Sequence, residues 1–107
     1  INATIHDVKL SKDLNTDCIE IHTGKFANLV KSNKNYSKEL LRIKKCSFYA
    51  SKLGLEVHAG HGLDFTSTKI LSKIKEITEF NIGHFIIGES IFDGLKKVIK
   101  KFKYICK

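Results

Sequence analysis

Apolar and polar positions alternate along short stretches of the chain, and this alternation predicts three β-strands. In the first stretch, TDCIEIHTG (16–24), Ile19 and Ile21 lie on one side of an extended backbone. The polar side of the same stretch carries Cys18, Glu20 and His22. Two further stretches, LEVHAG (55–60) and ITEFNIG (77–83), predict a second and a third strand.

Apolar residues at helical spacing precede and follow these strands, and they predict four helices. The first covers residues 2–14, with Ile5 and Val8 on one face. The second ends at Gly54, which supplies the left-handed residue common after a helix, and Leu55 adds the apolar contact that often accompanies it. The apolar positions of this second helix are Leu40, Ile43, Cys46, Ala50 and Leu53.

The third predicted helix is short, and the fourth lies at the end of the chain. The third runs from Thr68 to Ile74, with Thr66 or Ser67 as its N-cap. The fourth has a lysine-rich face that is expected to be solvated, opposite an apolar stripe. The stripe consists of Ile91, Leu95, Val98, Phe102 and Ile105. The polar segment 25–35 is predicted to be a surface loop or a mobile lid.

The alternation of helices and strands indicates an α/β fold with parallel strands joined by right-handed crossovers. Three parallel strands alone leave two open edges and an uncovered face. The sequence also contains no methionine, so we expect that Ile1 is not a translation start. Both observations predict that the chain is the second half of a larger α/β structure.

Composition argues against several classes of protein. Apolar residues make up 42% and charged residues 28% of the chain, as in soluble globular proteins, and no apolar run approaches the roughly 18 residues of a membrane span. The net charge of +8 comes from 18 lysines and the single Arg42, whereas nucleic-acid recognition favours arginine. The three cysteines lack CxxC spacing, which argues against a disulfide framework or a zinc site. We therefore expect a cytoplasmic protein with neither a nucleic-acid nor a membrane partner.

Each predicted strand ends with glycine beside histidine, in the segments IEIHTG, VHAGHG and NIGH. In parallel α/β folds, ligands bind at the carboxyl ends of the strands. Glycine lets backbone N–H groups approach an anion, and histidine can give or take a proton near neutral pH. Three such strand ends predict one shared site for a phosphorylated substrate.

Glu20 lies in mid-strand on the face opposite Ile19 and Ile21, where a carboxylate is costly unless it is paired or used. It is interpreted either as a functional group or as one partner of a salt bridge. A metal site built from the histidines is disfavoured, because His58 and His61 are three positions apart and point to opposite faces of a strand. HxH and HExxH spacings are also missing from the sequence.

The segments TDCIEIHTG, LGLEVHAGHGL and FNIGHFIIGESIFDGL, in this order, closely resemble the C-terminal half of the pyridoxine 5'-phosphate synthase family. The resemblance implies a (β/α)8 TIM barrel of typically about 250 residues. Residues 1–107 would then be the C-terminal portion of a single barrel domain, with roughly its last three βα units and without its N-terminal half. The implied reaction condenses 3-amino-2-oxopropyl phosphate with 1-deoxy-D-xylulose 5-phosphate to form pyridoxine 5'-phosphate, phosphate and water.

The resemblance also implies roles for individual residues. His61 of AGHG matches the catalytic histidine that donates a proton, and Gly62 matches a residue in contact with the amino-ketone phosphate. Gly83 and His84 of NIGH match a phosphate-binding pair, and Glu20 matches a carboxylate that stabilises the transition state. Neither a metal nor another cofactor is expected, and the family implies a homo-oligomer. Because the other catalytic residues would lie on earlier strands, the isolated chain is expected to be inactive and poorly folded.

Two alternatives remain open from the sequence. One is a basic binding module without catalysis, for a phosphate ligand or a nucleic acid. The other is a phosphate-binding TIM-barrel enzyme with a different substrate.

Overall fold

In a computed structural model of the chain, the structure describes residues 1, 4–82 and 95–106. Helices and strands alternate along it as the sequence predicts, with one additional helix after the first strand. The elements are α1 (Ile5–Asp13), β1 (Cys18–His22), α2 (Gly24–Lys31), α3 (Ser37–Lys52), β2 (Glu56–Gly60), α4 (Phe65–Leu71), β3 (Ile77–Asn81) and α5 (Leu95–Ile105).

The three strands form a parallel sheet in the order β1-β2-β3, which confirms the predicted α/β class. The register of the strands places residues that face the same side of the sheet next to one another. Glu20 pairs with His58, and His58 pairs with Glu79, while an irregularity between Val57 and His58 shifts the register at the start of β2. The sheet therefore carries rows of side chains that run across all three strands.

One face of the sheet packs against the helices and forms the core. Ile21 and Ala59 from the strands are fully buried, together with Ala50 of α3 and, nearly so, Val98 of α5. Burying a branched aliphatic side chain of this size contributes about 1.5–3 kcal/mol, so this layer is the main source of stability. The opposite face of the sheet is polar, and Glu20 lies on it, as the alternation in β1 predicts.

Helix α3 ends as predicted from its Gly-Leu sequence. Gly54 has a φ of +82°, and its N–H donates to the carbonyl of Ser51. The N–H of Leu55 donates to the carbonyl of Ala50, and the Leu55 side chain is buried. These two bonds satisfy carbonyls that the end of a helix otherwise leaves without donors, and they aim the chain into β2.

Two predictions about the helices are wrong. Most of the segment predicted as a loop, Lys25 to Lys31, belongs to α2, because Phe26 and Ala27 are buried against the core. The third predicted helix is α4, which begins three residues before Thr68 because Asp64 caps it. Helix α1 forms within the predicted range, and of the two residues on its apolar face Val8 is buried whereas Ile5 is 44% exposed.

The last helix agrees with its predicted amphipathic pattern over the described residues. Val98 and Phe102 are buried, and the lysines on the other face are exposed. The ammonium group of Lys101 lies over the ring of Phe65, 4.0 Å from its centre, so a cation of α5 contacts an aromatic side chain of α4. Ile91 lies outside the described residues. No helix in the described part of the chain is long and apolar enough to cross a membrane.

Candidate active site

Two histidines meet at the carboxyl end of the sheet. The imidazole of His22, at the end of β1, stacks on that of His61, just after β2, with ring centroids 4.2 Å apart and an angle of 28° between the rings. Both side chains are exposed to solvent. Two of the three Gly-His strand ends predicted to share a site are thus adjacent.

The backbone of His61 adopts an unusual conformation that a neighbouring strand end holds in place. The φ angle of His61 is +90°, and that of Gly62 is +73°. A φ above zero is uncommon for a residue with a side chain and persists where the surroundings enforce it. The hydroxyl of Thr23 donates toward the carbonyls of Gly60 and His61, at 2.8 and 3.0 Å, and the Thr23 N–H donates to Gly60 at 2.9 Å.

Thr23 is fully buried, and it is not among the site residues predicted from the sequence. Its position in HTG, directly after the strand, is the signal that could have identified it. A hydroxyl there can bond to the next strand end, where the chain must turn. Thr23 therefore acts on His61 through the backbone rather than by touching a ligand.

Gly24 leaves the space that the two imidazoles occupy. A Cβ atom at this position would lie 2.7 Å from Cε1 of His22 and 3.0 Å from Cδ2 of His61. The Gly24 N–H also donates to Nδ1 of His22 at 3.3 Å. Glycine is needed here for close approach, and its N–H makes Nδ1 of His22 an acceptor.

A cleft of about 510 Å³ opens beside this histidine pair. Its wall includes His22, His61 and Gly62, and the first turn of α2 with Gly24 and Lys25. Lys34 also lines the cleft. This cleft is suited to an anion such as a phosphate group. It is lined by two ammonium groups, by two imidazoles and by backbone N–H groups at the start of a helix.

Glu20 lies on the polar face of the sheet, below the strand ends. Its Oε2 accepts a hydrogen bond from Nδ2 of Asn81, at the end of β3. Its Oε1 lies against Gly60, where an added Cβ would approach within 2.7 Å. The carboxylate is therefore held across β2 by an amide on one side and a glycine on the other, and not by a salt bridge within the described residues.

The other predicted residues are placed as follows. Gly62 lies beside His61 in the cleft wall. Gly83 and His84 lie outside the described residues, so the structure does not test their predicted position. His58 lies on the polar face of β2, where it contacts Cys18 and Glu79 rather than His61. The catalytic and binding roles assigned to these residues stay predictions.

A family model and several known proteins with similar sequences all carry names from vitamin B6 biosynthesis. The family model described as "Pyridoxal phosphate biosynthesis protein PdxJ" matches residues 1–107. A protein of Pelagibacter ubique named pyridoxine 5'-phosphate synthase is 64% identical over 105 residues, covering 98% of this chain and 44% of that protein. Proteins of the same name from a Sulfurihydrogenibium species and from Zymomonas mobilis are 47% and 45% identical. They are covered over 42% and 38% of their lengths, and this chain over 98% and 92% of its own.

This chain spans less than half the length of each of these three relatives. The family model nevertheless matches all of its residues, including the segments that build the histidine pair, the Glu20 carboxylate and the cleft. The chain therefore belongs to the family of the pyridoxal phosphate biosynthesis protein PdxJ.

Proposed function

We propose that the polypeptide carrying this chain is a pyridoxine 5'-phosphate synthase. It condenses 3-amino-2-oxopropyl phosphate with 1-deoxy-D-xylulose 5-phosphate and releases pyridoxine 5'-phosphate, phosphate and water. The observation that carries the proposal is the backbone of His61, held at a φ of +90° by Thr23 beside a cationic cleft. Membership of the family and the names of its relatives support the same activity.

His61 acts as the proton donor. Closing the pyridine ring requires loss of water and of phosphate, and each leaving oxygen departs more easily when an acid protonates it. The His61 side chain is exposed at the mouth of the cleft, so a substrate in the cleft can reach it. Its ring is oriented by the stacked ring of His22 and by its anchored backbone.

Glu20 stabilises positive charge that develops when the amine condenses with a carbonyl group. A carboxylate fixed before the reaction stabilises such charge without a cost of reorganisation. The hydrogen bond from Asn81 and the contact with Gly60 fix Glu20 in this way. Asn81 is thus a positioning residue for Glu20.

The substrate phosphate is bound by backbone N–H groups at the strand ends. Gly62, with a φ of +73°, presents its backbone to the cleft without a side chain. Gly83 and His84 supply the second half of this phosphate site after β3. Phosphate binding at such positions is typical of barrels in which loops after the last strands meet a helix N-terminus.

The architecture proposed for the whole protein is a closed (β/α)8 barrel. Residues 1–107 form its C-terminal portion, with the polar face of the sheet turned inward and the edges of β1 and β3 joined to strands of the N-terminal half. Closure removes the exposed edges and leaves polar side chains of the strands facing the interior. The protein is cytoplasmic and homo-oligomeric, its reaction uses no cofactor, and its partners are the two small phosphorylated substrates.

The assay combines the full-length polypeptide with both substrates and measures pyridoxine 5'-phosphate by chromatography. Replacing His61→Asn is expected to lower kcat by about 10²- to 10⁴-fold, the usual contribution of a positioned acid. Binding of the amino-ketone phosphate is expected to persist. His6→Asn, an exposed histidine of α1, is the matched control. Turnover of the His61 variant within twofold of the wild type would exclude the proposed role.

A further inference from the structure

A second cluster of reactive side chains lies on the polar face of the sheet, near the amino ends of the strands. Sγ of Cys18 lies 3.4 Å from both ring nitrogens of His58. Nε2 of His58 lies 3.6 Å from Oε2 of Glu56, and Nδ1 lies 3.0 Å from Oε2 of Glu79. The proposed reaction uses none of these four residues.

The spacing of three of these groups matches a metal site. Ligand atoms of Cys18, Glu56 and His58 all lie within 4.8 Å of one another. A tetrahedral zinc ion with bonds of about 2.0–2.3 Å holds neighbouring ligand atoms roughly 3.3–3.6 Å apart. Thiolate, imidazole and carboxylate are all zinc ligands, and the thiolate disfavours Mg²⁺ and Ca²⁺.

Glu79 determines which nitrogen of His58 is available. A carboxylate accepts hydrogen bonds, so at 3.0 Å it favours the tautomer in which Nδ1 carries the proton. Nε2 then presents its lone pair toward Glu56. This pairing of a carboxylate with the far nitrogen of a histidine is common behind zinc ligands, because it fixes the ring and increases its basicity.

The cluster can adjust to an ion. The side chains of Glu56 and Glu79 are 61% and 58% exposed in this chain, so no described residue covers these carboxylates, which would face the interior of the proposed barrel. Since Sγ of Cys18 is equally distant from both ring nitrogens, coordination at Nε2 requires a rotation of the Cys18 side chain. That residue is only half-buried.

We propose that Cys18, Glu56 and His58 bind one Zn²⁺ ion, with Glu79 as the residue that positions His58. Water in the barrel interior would complete the tetrahedron. The ligands come from two neighbouring strands, so the missing CxxC spacing in the sequence is no argument against this site. The proposal does not depend on the proposed synthase activity, because it is tested without substrate.

The experiment uses the full-length polypeptide after removal of metals with a chelator. Zn²⁺ is titrated against a chromophoric competitor, and Co²⁺ is added separately to detect thiolate-to-metal charge transfer. One equivalent of tightly bound metal is expected. Cys18→Ser and His58→Gln are expected to abolish the charge-transfer band and tight binding, and Glu79→Gln to weaken affinity by about 10- to 100-fold. Cys106→Ser, at an exposed thiol just after α5, is the matched control.

A second measurement requires no variant and therefore no assumption about folding. The rate at which iodoacetamide alkylates each cysteine is followed by mass spectrometry with and without Zn²⁺. Zn²⁺ is expected to slow alkylation of Cys18 at least tenfold and to leave Cys106 unchanged. Equal rates at Cys18, or metal binding that persists in Cys18→Ser, would overturn the proposal and leave an ion pair of His58 with Glu56 and Glu79. Failure here would not alter His61-dependent turnover, so the two proposals fail separately.

Discussion

At the scale of single residues, the hydroxyl of Thr23 determines where His61 lies. Thr23→Val keeps the shape of the side chain but removes the donor to the carbonyls of Gly60 and His61. We expect a loss of about 1 kcal/mol in the free energy of unfolding, because the partly buried carbonyl of His61 loses its donor while the carbonyl of Gly60 keeps the N–H of Thr23. Turnover should fall about tenfold as His61 relaxes. Both are measured on the full-length polypeptide, by denaturant unfolding and by the synthase assay.

Two controls separate the hydroxyl of Thr23 from its surroundings. Thr23→Ser keeps the donor and should retain turnover near that of the wild type. Thr66→Val changes an exposed threonine of α4 and should alter neither quantity. If Thr23→Val is as active as the wild type, the side chain of Thr23 does not position His61.

Gly24 makes a second residue-scale prediction. In Gly24→Ala the new methyl group collides with the rings of His22 and His61, which must move apart. Because His61 must be correctly placed to donate its proton, moving its ring is expected to lower kcat by about 10- to 100-fold. Gly54→Ala is the matched control, because a Cβ there meets no atom within 4 Å although φ is +82°.

The two glycine variants should differ in kind. Gly54→Ala forces a side chain into the left-handed region and should cost about 1–2 kcal/mol of stability with unchanged kcat. Gly24→Ala should lower kcat with a smaller change in stability. The same loss of kcat in both variants would show that general destabilisation, rather than the histidine pair, accounts for the effect.

At the scale of elements, α4 depends on its N-terminal cap. Asp64 accepts a hydrogen bond from the N–H of Ser67, whose hydroxyl accepts one in return from the N–H of Asp64. Asp64→Ala removes half of this capping box and should lower the free energy of unfolding by about 0.5–2 kcal/mol. Asp64→Asn keeps the cap and should restore most of the difference. Denaturant unfolding measures the free energy of unfolding of both variants. If Asp64→Asn loses as much stability as Asp64→Ala, the charge of Asp64 rather than its hydrogen bond stabilises α4.

The strands and α3 could be predicted because short-range patterns specify them. Alternation in β1 places Ile19 and Ile21 in the core, and the glycine after α3 ends that helix. Helix α4 starts three residues earlier than predicted because its N-cap is Asp64, which precedes the expected caps Thr66 and Ser67. Helix α2 was missed because only two of its eight residues are fully buried, and its polar surface has the composition of a loop.

At the scale of the molecule, the site combines residues from several strand ends. Which residues belong to it could be predicted better than how they are arranged. The parallel order of β1 and β2 follows from the alternation of elements, so His22 and His61 are expected at one edge of the sheet. Their stacking, and the bond between Glu20 and Asn81 across 61 positions of sequence, depend on register. Register is set by the packing of the whole sheet, which local patterns do not contain.

The polar face and open edges of the three-stranded sheet lead to a prediction about the whole molecule. Among the described residues, β3 lies at one edge of the sheet, and the other edge, at β1, is covered only by Ile1, which hydrogen-bonds to the carbonyl of Glu20 and the N–H of His22. Two such edges and a face carrying Glu20, Glu56 and Glu79 are poorly suited to an independent domain. The 107-residue chain alone should unfold with low cooperativity and give no pyridoxine 5'-phosphate. Refolding it with the part of the Pelagibacter ubique relative that it does not match should restore turnover, since 64% identity preserves most of the interface.

This complementation has a direct control. The same mixture with the His61→Asn chain should associate equally well, measured by size-exclusion chromatography, but remain inactive. If the wild-type chain associates with the relative's part but gives no turnover, the proposed barrel is supported and the proposed synthase activity is contradicted. If the chain alone folds cooperatively and does not associate, its sheet is stable with open edges, and the proposed closure of a barrel through β1 and β3 is wrong.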